Sequence, residues 1–192
     1  MKIAQIAFGL ICAAAMVLSS PASAQTEPQQ QQQQITANES KNVGDWLVRC
    51  FPVKSPTPCD MLYILAVKRT GQVMLSMRIA YAPADDKHII LIGVPLGVSF
   101  AKGLVVTTDN GATPALQFQR CDRQGCYVQS VLDSASMDTL ARSTAANTKV
   151  SFAAYTGRAI TLPFPLNGFA EARQTLDQLA KGRATAVAEK KS

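Results

Sequence analysis

Five cysteines, a single histidine and a few acidic pairs are the residues of this chain with the means to do chemistry. Cys12 sits in an apolar N-terminal run, which leaves Cys50, Cys59, Cys121 and Cys126. Cysteines serve as nucleophiles, metal ligands or disulfide partners. Neither close pair has the Cys-x-x-Cys spacing of a thioredoxin-like redox centre. A four-cysteine zinc site is the rival, but its ligand pairs are usually separated by about two to four residues, and exported proteins rarely keep thiols reduced. Four cysteines allow three pairings. Cys50–Cys59 and Cys121–Cys126 are the favoured structural disulfides, since each pair flanks one short turn-rich loop.

His88 has no second histidine to work with, so serine–histidine and zinc-hydrolase schemes would rest on it alone. It is read as a structural or surface residue. Asp85-Asp86 and Asp133…Asp138 are carboxylates in polar loops. A glycoside hydrolase needs two carboxyl groups facing one bond, and their separation in space is not written in the sequence. Solvated loop acids are the default. The chain has no Gly-x-Ser-x-Gly elbow, phosphate loop or dinucleotide fingerprint. No catalytic, cofactor-binding or metal-binding residue is assigned.

The elements that would carry these residues are mostly strands. Leu116 to Leu132 reads as a β-hairpin closed at its mouth by Cys121 and Cys126, with Gly125 taking a positive φ in the turn. Val73, Leu75, Met77, Ile79 and Tyr81 alternate with Gln72, Met74, Ser76, Arg78 and Ala80. This is the cleanest period-two pattern and pairs with the strand over Met61–Lys68. His88 to Val94 is almost wholly apolar, like a strand covered on both faces. Asn110-Gly111 is a type I′ hairpin signal. Trp46, the one tryptophan, suits a buried anchor, and Met61, Met74 and Met77 suit core filling. A short helix over Ser134–Ser143, capped by Ser134 or Ser136, turns Met137 and Leu140 inward. Pro163 and Pro165 mark an edge. Asn167 caps a final helix with Phe169, Ala172, Leu176 and Leu179 on one face and Gly182 as its stop. The fold class is all-β, an antiparallel sandwich or partly open barrel with one short helix and a C-terminal α-helix.

Around this domain, read as residues 43–182, the ends differ in composition. Lys2, the uncharged run Ile3–Leu18 and Ala22-Ser23-Ala24 form a secretory signal over residues 1–24. The run is short of the ~20 residues of a spanning helix, so no transmembrane segment is expected after cleavage. Residues 25–42, with the glutamine run Gln29–Gln34, read as a flexible leader, and residues 183–192 as a disordered basic tail. The full chain carries a net charge of +6, with a pI of about 9.2. Export and the scatter of the arginines argue against nucleic acid. The charge reads as a solvated surface, and the sharper alternative is weak attraction to anionic lipid or lipopolysaccharide at a membrane face.

Trp46…Cys50…Cys59, Pro95-Leu96-Gly97-Val98, Lys102-Gly103, Cys121…Gly125-Cys126 and Leu166…Gly168-Phe169, in this order, resemble the pattern of the invasion-associated locus B family. The resemblance spans about Val43 to Lys181. It implies a periplasmic or outer-membrane-associated protein of Gram-negative bacteria, in a family with some members linked to host-cell entry and no established catalytic residues. The expected function is therefore a non-enzymatic, virulence-associated envelope protein that binds an unknown envelope or host-surface protein, lipid or glycan. The alternative is a periplasmic carbohydrate hydrolase working through the loop carboxylates.

Overall fold

The computed structural model describes residues 36–189. The expected signal segment, residues 25–35 of the expected leader, and residues 190–192 lie outside them. Five strands come first, β1 (Glu39–Val43), β2 (Trp46–Cys50), β3 (Cys59–Ala66), β4 (Val73–Ala82) and β5 (Lys87–Val94). After a 3-10 turn come β6 (Leu104–Thr108), β7 (Gly111–Ala112), β8 (Arg120–Cys121) and β9 (Cys126–Leu132). Helix α1 (Ser134–Arg142), β10 (Lys149–Ala153), β11 (Ala159–Pro163) and helix α2 (Phe169–Glu189) complete the chain. A seven-stranded antiparallel sheet has the order β1-β2-β3-β4-β5-β9-β8, and a four-stranded one the order β11-β10-β6-β7. Neither sheet closes on itself, so the fold is a two-sheet sandwich with a C-terminal helix rather than a barrel.

Alternation sets the packing. Register aligns Val48, Met61, Ile79 and Ile90 in one row of the large sheet, and Tyr63, Met77, Ile92 and Val128 in the next. All but Tyr63 are buried, each contributing roughly 1.5–3 kcal/mol by leaving water. Leu104, Val106, Val150 and Phe152 of the small sheet join the same core. Helix α2 packs on β2, β3 and β4, burying Phe169, Ala172, Leu176 and Ala180 at helical spacing. Its first residue meets Trp46 edge-on at 5.5 Å. Trp46 Nε1 donates to the Pro165 carbonyl at 2.8 Å, so the indole is buried with its one donor satisfied.

Several local expectations change. Strand β1 lies largely inside the stretch read as leader, because its backbone completes the edge beside β2. Helix α2 does not stop at Gly182. It runs on to Glu189, and residues 183–189 are helical rather than a loose tail. Arg183 accounts for this, since its Nη2 donates to Asn38 Oδ1 and Glu39 Oε2, both at 3.0 Å. Asp133, not a serine, caps α1, accepting from the Ser136 N–H at 2.8 Å. Asn167 does not cap α2 with its side chain but donates to Asp45 Oδ1 at 3.1 Å. The β6–β7 turn is centred on Asp109-Asn110, with the positive φ of 107° at Gly111 alone, so it is not type I′.

The hairpin around Cys121 is also shorter than its alternation suggests. Leu116 exchanges two backbone bonds with Leu104, at 2.7 and 2.8 Å, and Phe118 enters the core. This arm carries the chain from one sheet to the other, and only Arg120–Cys121 pairs with β9. Gly125 is glycine for space rather than for positive φ, because a Cβ there would stand 2.3 Å from the Val94 carbonyl oxygen. Cys121 and Cys126 are bonded across directly opposed positions of β8 and β9, as are Cys50 and Cys59 across β2 and β3. On the chain-entropy model each bridge contributes about 2–3 kcal/mol.

The two bridges differ in access. Cys50 and Cys59 are fully buried, whereas Cys121 is exposed beside buried Cys126. A few equivalents of a water-soluble phosphine should therefore open Cys121–Cys126 first. Alkylation and peptide mapping should then find label at Cys121 and Cys126 while Cys50–Cys59 stays closed. Equal labelling of all four would contradict this order.

Candidate functional site

Two places gather functional side chains. The first surrounds His88 on the α2 side of the large sheet. His88 is fully buried, a core residue and not a surface one. Its Nε2 donates to Asp177 Oδ1 at 2.8 Å, and its ring lies 4.7 Å from that of Tyr81. Asp177 also faces Arg173 Nε at 3.7 Å, and Arg173 in turn bonds Asp138 on α1. Tyr81 donates to Asp86 Oδ1 at 2.7 Å, and Ser134 donates to Asp86 Oδ2 at 3.0 Å. Between the helices runs a groove of about 340 Å³ lined by Ala141, Arg173, Gln174, Asp177, Gln178 and Lys181.

This cluster gathers His88, Asp86 and Asp138 around Tyr81, Arg173 and Asp177, and each is engaged by a neighbour within the fold. A histidine sealed from solvent cannot touch a substrate, and no hydroxyl partners its Nδ1. Hydrogen bonds from Tyr81 and Ser134 hold the Asp86 carboxyl below its ordinary range. The hydrogen bond and charge of Arg173 do the same for Asp138, and Ser136 does so for Asp133. A glycosidase acid needs the opposite, a carboxyl raised so that it keeps its proton near neutral pH. Burial and the bond to Asp86 push the Tyr81 hydroxyl up to about 12, so it stays a donor. Asp85, the other acid in that loop, makes no side-chain hydrogen bond to this cluster. Among the described residues no group of three metal-ligating side chains converges.

The second place is the opposite face of the large sheet. Strand alternation puts Leu47, Arg49, Asp60, Leu62, Ile64, Arg78, Ile89, Leu91, Tyr127 and Val131 there. Alternate positions on a solvated sheet face are normally polar. Here Leu47, Leu62, Ile89 and Leu91 are half-buried without belonging to the core. Ile64 and Val131 are 52% and 59% exposed. Both helices and the small sheet pack with the other face, so these aliphatics are uncovered among the described residues.

A polar cluster stands in their midst. Asp60 is only 2% exposed. Its carboxylate accepts from Arg49 through Nε and Nη2, both at 2.9 Å, and from Arg78 Nε. Phe51 folds over it with the two guanidinium groups 5.3 and 5.9 Å from its ring. Arg78 remains half exposed. At the far edge Tyr127 lies over Gly93, where a Cβ would approach its ring to 2.8 Å. Arg120 stacks on Tyr127 at 4.4 Å and pairs with Asp122 at 2.8 Å. No single residue of this face announced it in the sequence. The signal was there in the apolar residues at both phases of β3 and β5.

Comparison with known proteins bears on both places. A family model described as Invasion associated locus B (IalB) protein matches residues 46–177, from Trp46 to Asp177 and including all four bridged cysteines. Two invasion protein B homologs of Brucella abortus, from strain 2308 and from biovar 1 strain 9-941, are each 28% identical over 137 residues. In each case the match covers 71% of this chain and 78% of the relative. The crystal structure of invasion associated protein B from Bartonella henselae superposes with a TM-score of 0.62 at 23% identity. It covers 74% of this chain and 99% of that one, which establishes a shared fold.

Proposed function

Because the chain belongs to the invasion-associated locus B family, we propose that it is an exported, non-enzymatic envelope protein that works by binding a partner through the open face of its large sheet. The carrying observation is the set of outward aliphatics, half-buried Leu47, Leu62, Ile89 and Leu91 and exposed Ile64 and Val131, around one half-exposed arginine. Contiguous exposed apolar surface on a soluble domain marks an interaction site. The signal-like N-terminus and the disulfides support a periplasmic or outer-membrane-associated location. No helix among the described residues is long and apolar enough to cross a membrane. The hydrolase reading loses support at Asp86, Asp133 and Asp138, each tied to a donor that favours its ionised form.

The test uses a variant with Ile64→Asp and Val131→Asp. Both side chains are more than half exposed, so the variant should melt within a few degrees of the parent. The parent domain should sediment with envelopes of its own bacterium, and the variant should lose at least tenfold of that binding. Equal sedimentation of the two would overturn the reading. Release of reducing sugar from envelope glycan by both would favour the hydrolase.

A further inference from the structure

We propose that the partner seated on the open sheet face is a single amphipathic helix of another protein, carrying one carboxylate placed on Arg78. The inference rests on the binding role assigned to that face and names what fills it.

Size is the first argument. The aliphatics lie on β2, β3, β5 and β9, on either side of Arg78 in β4, and together reach over about four residues of strand length. At ~4.8 Å between strands and ~3.4 Å per residue the face is roughly 20 by 15 Å, on the order of 300 Å². A stable dimer takes about 800 Å² from each side. One helix, about 10–12 Å across, fills the face. The other side of β2, β3 and β4 is filled in this way by α2, through Phe169, Ala172, Leu176 and Ala180.

Charge is the second argument. Two arginines share one carboxylate, Asp60, so this cluster carries one positive charge in excess. Arg49 is committed to Asp60 by two bonds, whereas Arg78 makes one and is half exposed, with donors to spare. A single acidic side chain in an otherwise apolar helix stripe satisfies it. Other occupants match less well. An anionic lipid surface calls for several uncommitted cations, and of the arginines at this face Arg49 and Arg120 are each paired, which leaves the spare donors of Arg78 alone. A glycan calls for open aromatic faces, and the Tyr127 ring is taken by Arg120. A second copy related by a two-fold axis through the middle of the face would set Arg78 against Arg78.

The experiment places a photo-crosslinking p-benzoylphenylalanine at position 131 of the full chain, in cells of its own bacterium. The expected result is an adduct to another protein, mapped by mass spectrometry to a helical segment with an acidic residue in its apolar stripe. That adduct should fall at least tenfold in Arg78→Gln and persist in Arg158→Gln, a variant remote from the face. Arg78→Gln keeps the Arg49–Asp60 pair, and an unchanged melting curve confirms that it folds. An adduct to lipid, to glycan or to a second copy of the chain would overturn the helix proposal and leave binding through this face standing. An adduct indifferent to Arg78 would overturn it as well. No adduct from position 131 would overturn the helix proposal, and unimpaired sedimentation of the Ile64→Asp, Val131→Asp variant beside it would overturn the binding role as well.

Discussion

Gly168→Ala should destabilise the domain by about 2–5 kcal/mol, whereas Gly182→Ala, fourteen residues on, should leave it unchanged or up to about 1 kcal/mol more stable. Two terms add at Gly168. Its φ of 74° lies in the left-handed region, which for a residue with a Cβ costs roughly 1–2 kcal/mol. A Cβ there would also stand 2.7 Å from the Val43 carbonyl oxygen and 2.8 Å from the Gly44 Cα, both backbone atoms that cannot rotate aside. Such overpacking costs about 1–3 kcal/mol more. Gly44 is the reciprocal case, at φ 56° with Asn167 O 2.5 Å from its absent Cβ. The two glycines let the β1–β2 turn and the start of α2 touch backbone to backbone, a contact fixed by the Asp45 N–H bond to Asn167 O at 3.1 Å. Gly182 has nothing within 4 Å of its added Cβ, and glycine inside a helix is about 0.5–1 kcal/mol worse than alanine. Thermal melts of the two variants decide the matter. For a domain of this size the first should fall by about 6–15 °C. Equal melting temperatures would show that the turn yields.

Asp60→Ala should be the most damaging single change on the open face, at about 2–3 kcal/mol. Removing one member of a fully buried ion pair costs about 3–5 kcal/mol, because the survivor is left charged without a partner. Arg49 and Arg78 keep some contact with water, with side chains 22% and 49% exposed, so solvent screening lowers that figure. The order of variants is as informative as the size. Arg49→Ala should cost less than Asp60→Ala, and Arg78→Ala least, since Asp60 would keep both bonds from Arg49. Chemical denaturation of the three variants tests this. A loss at Arg78 equal to or above that at Arg49 would mean that the two arginines are not ranked as the geometry ranks them.

Much of the architecture was legible because local patterns determined it. The alternation from Val73 to Tyr81 became β4, and Met137 and Leu140 face inward from α1. Pro163 ends β11, which is an edge strand. What stayed hidden was set by partners far along the chain. His88 meets Asp177 across 89 residues, and Trp46 meets Pro165 across 119. Gly182 looked like a helix stop because glycine is the usual one, but Arg183 ties the next turn to Asn38 and Glu39.

The open face was half legible. His88–Val94, apolar at both phases, reads as a strand covered on both sides. The structure covers only the side of His88, Ile90, Ile92 and Val94, and leaves Ile89 and Leu91 half exposed. The apolar phase on the outer side records a preference for cover, and a sequence does not distinguish cover from the same chain from cover by another. The binding role was expected from the family resemblance, and this ambiguity is why the strand pattern did not name its residues.

The placement of α2 also governs when the protein can exist. Strands β2, β3 and β4 are sealed by α2, the last element among the described residues. At about 5–20 residues per second, Trp46 waits on the order of ten seconds for Phe169. For that interval Val48, Met61, Ile79 and Tyr81 lack the helix that packs on their sheet in the finished fold. A nascent chain of this design cannot finish its core early. Its large sheet gains its full cover only once α2 has been made.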